Sequence, residues 1–214
     1  MVQKIDPKRL RYSICVSGAS SGQTVASSAN LALRVGAAIA NSGMILTTGA
    51  TVGLPYYAAR GCHEAGGMSI GFSPAASLRE HVRKYRLPKD VFDFINFTGL
   101  HYAGRDMYLV QSSDATITIG GRFGSLHEFT SALENHKPCG ILVGTGGTAD
   151  TIANLVKTLD PSVGDLVIYD DNPEKLVERL IKVLDEKYAD IQKDLLNHDD
   201  HWFLREGQWP IRQG

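Results

Sequence analysis

Three short stretches combine glycine with hydroxyl side chains: SGASSG at 17–22, TTGATVG at 47–53 and GGRFGS at 120–125. Each follows an apolar run and leads into a helix-like segment. Glycine lets a ligand approach the backbone without a Cβ in the way. The first amides of a helix are unpaired and carry the positive end of its dipole, so such turns are natural phosphate cradles. The candidate ligand contacts are Gly18, Ala19 and Ser20 in the first stretch and Thr48, Gly49 and Gly53 in the second. In the third they are Gly120, Gly121, Arg122, Gly124 and Ser125. One such turn needs no ligand, since tight strand–helix connections favour glycine anyway. Three at one edge of a sheet point to an anion site.

Two familiar nucleotide motifs do not fit. The first stretch is G-x-x-x-G through Gly18 and Gly22, not G-x-G-x-x-G, and no acidic residue closes a second strand at the expected place, so NAD is not expected. The Lys-Ser/Thr ending of a P-loop is also missing. Among charged residues, Ser125 to Glu128 is S-x-x-E, which is a capping box if the helix begins at Ser125. If it begins nearer Phe123, Glu128 points toward the ligand space instead. Arg105 is a surface arginine or a ligand contact, and Arg122 is a solvated loop tip or a phosphate clamp. Five basic residues between Arg79 and Lys89 form a solvated face or the mouth of an anion pocket. No metal site is expected: HDDH at 198–201 lies in an irregular tail, and His63, His81 and His101 are isolated.

The elements that must position these residues alternate along the chain. Strand-like runs occupy 12–18, 44–50, 68–74, 91–99, 114–121, 139–144 and 165–170, with helix-like segments between most of them. Leu31, Val35 and Ile39 are spaced four apart, on one helix face. Gly43 suits the position just past that helix. Asn172 is a good N-cap with Pro173 at N1, and an apolar stripe runs through Leu176, Leu180, Ile181, Leu184 and Tyr188. Strand, glycine-rich turn and helix in repetition imply an α/β fold: one doubly wound, Rossmann-like domain of about seven mainly parallel strands with helices on both faces. Its expected extent is residues 1–197, with an irregular C-terminal tail at 198–214 that carries two tryptophans.

Composition narrows the partners. The 214 residues are 43% apolar with a net charge of -1, which argues against a protein that coats nucleic acid or an anionic membrane. Cys15, Cys62 and Cys139 read as buried free thiols. There is no run approaching ~18 apolar residues and no apolar leader core near the start. A cytoplasmic protein is expected.

The stretch GRDMYLVQSSDATITIGGRFGSLHE at 104–128 resembles the signature region of the Lonely guy (LOG) family, long labelled lysine decarboxylase-like and related to molybdenum-cofactor carrier proteins. That family shows an arginine, a Ser-Asp pair, a strand and a PGGxGTxxE motif. Arg105, Ser113-Asp114 and Gly120 to Glu128 stand at that spacing, and 47–74 and the opening ICVSGASSG also fit. The motif proline is Gly120 here, one motif glycine is Arg122, the threonine is Ser125, and Asp106 replaces the lysine of the hydrolase members. These departures bring the chain closer to the carrier-like branch. The resemblance implies a nucleoside 5′-monophosphate phosphoribohydrolase with catalytic Arg105 and Glu128 and no required cofactor. Equally, it implies a non-catalytic carrier of a nucleotide or of molybdenum cofactor. In the first case Arg105 grips the phosphoribosyl group and Glu128 stabilises positive charge on the sugar or activates water. Gly121, Gly124 and Ser125 hold the phosphate in either case. A homodimer is expected from the resemblance alone.

Overall fold

Every apolar run read as a strand contains one, and all seven strands lie in one parallel sheet. The structure, a computed structural model, describes residues 9–197; the tail at 198–214 lies outside the described residues. The strands are β1 (Ser13–Gly18), β2 (Ile45–Thr48), β3 (Met68–Ser73), β4 (Phe94–Phe97), β5 (Ala115–Ile119), β6 (Cys139–Leu142) and β7 (Val167–Asp170). Their order is β4-β3-β2-β1-β5-β6-β7. The helices are α1 (Gln23–Asn41), α2 (Leu54–Glu64), α3 (Leu78–Arg83), α4 (His101–Gln111), α5 (Phe123–Glu134), α6 (Gly147–Leu159), α7 (Pro173–Lys187) and α8 (Ala189–Asn197).

Helices α1, α2 and α7 cover one face of the sheet and α4, α5 and α6 the other. Strand alternation sorts the side chains between them. On β5, Ala115, Ile117 and Ile119 join Ile14, Val16 and Leu46 in the core under α1, α2 and α7. Thr116 and Thr118 turn to the opposite face, where Cys15 and Ser17 of β1 stand beside them in register. The first face is therefore dry and the second carries a buried polar strip.

Local signals account for most boundaries. Helix α1 ends in a Schellman turn: Gly43, at φ 75°, donates to Ala40 O and Met44 donates to Ile39 O. Helix α2 ends the same way through Gly66 and Gly67. Asn172 Oδ1 accepts from Lys175 N at 2.9 Å and caps α7, with Pro173 in its first turn. Leu176, Leu180 and Leu184 of its stripe are fully buried, each contributing about 1.5–3 kcal/mol of apolar burial. Tyr188 stacks on Tyr12.

Helix α3 was read from the sequence only as a basic polar stretch. Its six residues start at Ser77, whose side chain accepts from Glu80 N, and are held from outside the helix. His81, fully buried, meets Ser73 Oγ at 2.8 Å and Pro88 O at 2.8 Å. The three cysteines are free and buried, as expected. Among the described residues no helix is long and apolar enough to cross a membrane.

Helices α1 and α2 touch backbone to backbone. A Cβ on Gly36 would lie 1.8 Å from Ala58 O, and one on Gly61 would lie 2.0 Å from Leu33 O. Gly36→Val is therefore expected to cost about 3 kcal/mol. In a chain of this size that lowers Tm by roughly 6–12 °C. Gly164→Ala, where a Cβ meets nothing within 4 Å, leaves Tm nearly unchanged. Thermal denaturation of the two variants checks both.

Candidate functional site

The sheet order reverses between β1 and β5, the place where open parallel sheets leave a crevice beyond their C-terminal strand ends. A cavity of about 300 Å³ opens there, lined by Ser17 and Gly18 at the end of β1, Ser20 just beyond it, Gly49 and Thr51 after β2, and Gly124, Ser125 and Glu128 on α5. Arg105 and Asp106 of α4 complete its polar wall. Val52, Pro55, Leu87 and Tyr102 form an apolar side.

The three glycine-rich loops converge on this rim. Leu54 N donates to Ala19 O at 2.8 Å, and Ala19 N donates to Ile119 O at 3.3 Å. Gly53, at φ 81°, sits where a Cβ would lie 2.3 Å from Ala19 O. Arg122 Nη2 donates to Ser21 Oγ at 3.1 Å. The loop after β5 is tied in turn to α6, through Thr148 N to Gly121 O and Ala149 N to Gly120 O.

This splits the residues picked from the sequence into two groups. Gly18, Ser20, Gly49, Arg105, Gly124, Ser125 and Glu128 line the cavity. Ala19, Thr48, Gly53, Gly120, Gly121 and Arg122 do not, and the structure places them in the frame behind it. Thr48 is fully buried with Oγ1 accepting from Ala50 N, and Gly120 N donates to Thr145 Oγ1 at 2.8 Å. Arg122 bridges two loops and lies beside a separate apolar cavity with Phe123 and Leu126.

Helix α5 begins at Phe123, with Arg122 as a cap that lends no side chain. The S-x-x-E capping box is therefore not formed. Phe123, Gly124 and Ser125 fall within the first turn, whose amides have no partner inside the helix; the first intrahelical bond runs from Leu126 N to Arg122 O. Two of these three residues line the cavity.

Glu128 lies one turn deeper, buried and held from two sides. Ser17 Oγ donates to its Oε2, and Arg105 Nη1 donates to its Oε1 at 3.1 Å. The same Arg105 nitrogen lies 2.8 Å from Asp106 Oδ1. Asp106 Oδ2 is 3.3 Å from Nδ1 of the half-exposed His127. The guanidinium lies flat across Gly49, where a Cβ would stand 2.3 Å from Nη1 and 2.6 Å from Cζ. Glycine is required there because any side chain would push the arginine off its carboxylates. Arg105 Nε is buried without a hydrogen-bond partner among the described residues.

Ser17 was not picked out from the sequence. Its signals are a hydroxyl at the end of an apolar run, on the same face as Cys15, and its place at the head of the SGASSG stretch. Ser113 and Asp114, part of the quoted motif, lie at the opposite end of β5. Asp114 Oδ2 accepts from Ser13 N and Oγ, and Ser113 Oγ meets Thr47 Oγ1 at 2.8 Å. They anchor strands and do not reach the crevice. Among the described residues no cluster of His, Cys, Asp and Glu could hold a metal; HDDH lies outside them.

Burial pushes the Glu128 carboxyl up from 4.5 to about 7, opposed by Arg105, reinforced by the Asp106 charge and opposed again by the Ser17 hydroxyl. The folded state thus holds this proton more tightly than the unfolded chain. That stability is fully present below the unfolded value near 4.5 and is lost as pH rises through about 7. The expected loss is on the order of 1–3 kcal/mol. Glu128→Gln removes the titrating group, so its Tm relative to wild type rises between about pH 5 and pH 8. Parallel Tm–pH curves for the two proteins would contradict the assignment.

A model of the SLOG cluster4 family matches residues 11–177. A solved molybdenum cofactor binding protein from the phototrophic bacterium Rippkaea orientalis superposes with a TM-score of 0.67 and 26% identity, over 82% of this chain and 98% of that one. The Moco carrier protein of Chlamydomonas reinhardtii superposes with a TM-score of 0.69 and 25% identity, over 83% and 99%. An uncharacterized protein of Archaeoglobus fulgidus is 34% identical over 107 residues, which span 50% of this chain and 65% of that relative. The family match covers the whole sheet and both sides of the crevice, in line with the resemblance carried by 104–128. The chain belongs to the SLOG cluster4 family.

Proposed function

We propose that the crevice binds a small phosphorylated ligand of nucleotide or pterin type and holds it without turnover. The observation that carries the reading is the pair of α5 first-turn residues, Gly124 and Ser125, lining a cavity of about 300 Å³ beside Arg105. A phosphate seated there meets unpaired amides, the positive end of a helix and the Ser125 hydroxyl. Val52, Pro55, Leu87 and Tyr102 offer an apolar wall to a flat ring. The likeness to two proteins named for molybdenum cofactor binding or carriage supports a carrier role, with that cofactor or a nucleotide as cargo. Asp106 supports it too: it competes for Arg105, which a phosphoribohydrolase would use on its substrate. Exposed Met107 and Tyr108 on α4, with Phe123 at the start of α5, favour a homodimer through that side.

A second reading, nucleoside 5′-monophosphate phosphoribohydrolase, is favoured by one observation. Glu128 is a carboxylate at the cavity wall with a pKa raised to about 7, suited to stabilising an oxocarbenium-like sugar or to activating water. Incubation with a panel of nucleoside monophosphates, read by thermal shift and by chromatography, separates the two. The carrier reading expects a raised Tm with at least one nucleotide and every nucleotide recovered intact. Release of free base that disappears in Glu128→Ala, with binding kept, would establish the hydrolase instead.

A further inference from the structure

Three charged side chains line the crevice: Arg105, Asp106 and Glu128. One cation therefore faces two carboxylates in the wall of a cavity proposed to take an anion. Both carboxylates are buried, and both reach the same nitrogen, Arg105 Nη1, at 2.8 Å and 3.1 Å. With both ionised, the wall carries one net negative charge, and a phosphate seated on the nearby helix end would add to it at low dielectric.

Neighbouring elements offer little to offset that charge. From α5, His127 reaches only the outer oxygen of Asp106 and is 44% exposed. From β1, Ser17 donates a neutral hydroxyl to Glu128, and the buried thiols of Cys15 and, further off on β6, Cys139 lie on the same face. Tyr102 of α4 is the remaining titratable residue of the lining. The loops contribute no charged side chain to the lining, only Ser20, Gly49, Thr51, Val52 and Leu87.

We propose that Asp106 and Glu128 share one proton when the crevice is loaded, so that binding of a phosphate-bearing ligand draws a proton from solvent. This rests on the reading of the crevice as a phosphate site. Two like charges on one guanidinium cannot both stay ionised once a third anion arrives, and the cheapest remedy is protonation of one carboxylate. The raised pKa of Glu128 in the empty site points the same way. Asp106, standing where the hydrolase members of the resembled family carry lysine, becomes the residue that makes loading sensitive to pH.

The test is titration calorimetry with adenosine 5′-monophosphate and with inorganic phosphate, in two buffers of different ionisation enthalpy. The range is about pH 8 to 9, where the Glu128 carboxyl of the empty site is mainly ionised and both probes are mainly dianions, the second pKa of a phosphate monoester being about 6. Wild-type affinity is expected to fall up to about tenfold per pH unit, with close to one proton taken up per ligand bound. Asp106→Asn is expected to lose both the uptake and the pH dependence and to bind more tightly than wild type near pH 9. Glu128→Gln does the same, which keeps the test decisive if one variant fails to fold. His127→Gln keeps the wild-type dependence. Measurable binding without proton uptake overturns the proposal. So does uptake that survives both carboxylate variants or vanishes with His127. If neither probe binds at any pH, the phosphate reading itself fails and the proposal with it.

Discussion

One buried guanidinium holds the crevice in shape. Arg105 draws Asp106 of its own helix and Glu128 of α5 onto a single nitrogen. It can lie there because Gly49 leaves the loop after β2 without a side chain. Removing one partner of a buried ion pair leaves an uncompensated charge that costs about 3–5 kcal/mol. The position of α4 relative to α5, and of both relative to the β2 loop, therefore depends on this contact. Ser17 fastens it to the strand at the centre of the sheet. The arrangement also limits function: an arginine already shared by two carboxylates is a weak grip for a third anion. In the proposed reading the phosphate therefore seats on the amides of α5, not on Arg105.

Much of the fold was legible because its signals are local. Short apolar runs ended by glycine turns mark parallel strands, Gly43 and Gly66 mark helix ends by backbone geometry, and Asn172 marks a helix start by its side-chain cap. Helix α3 was not legible. Its sequence has no apolar stripe, and a buried histidine bonded to Ser73 and Pro88 holds it in place. Such a tertiary bond leaves no periodic trace. The seventh strand also starts later than its apolar run suggests, because Asp165 and Leu166 belong to a 3-10 turn that begins at Pro161.

The site was legible in its letters but not in its division of labour. The glycine loops mark the rim of the crevice, yet Ala19, Gly53, Gly120 and Gly121 spend their backbone groups or their space on neighbouring loops. Which amides remain free depends on contacts between segments up to about a hundred residues apart, as between Ala19 and Ile119. Asp106 was visible only as a departure from a family pattern. Its effect on Arg105 needed the geometry, as did the failure of the Ser125–Glu128 cap, decided by a helix start two residues earlier.

The central claim is that a phosphate seats on the first turn of α5, beside the Arg105 assembly. An amide-resolved NMR titration with adenosine 5′-monophosphate tests it most directly. The account predicts that the largest shifts fall on the amides of Gly124 and Ser125, with smaller ones at Gly18 and Gly49. Shifts centred on the basic groove of α7, around Lys175, Arg179 and Lys182, would contradict it.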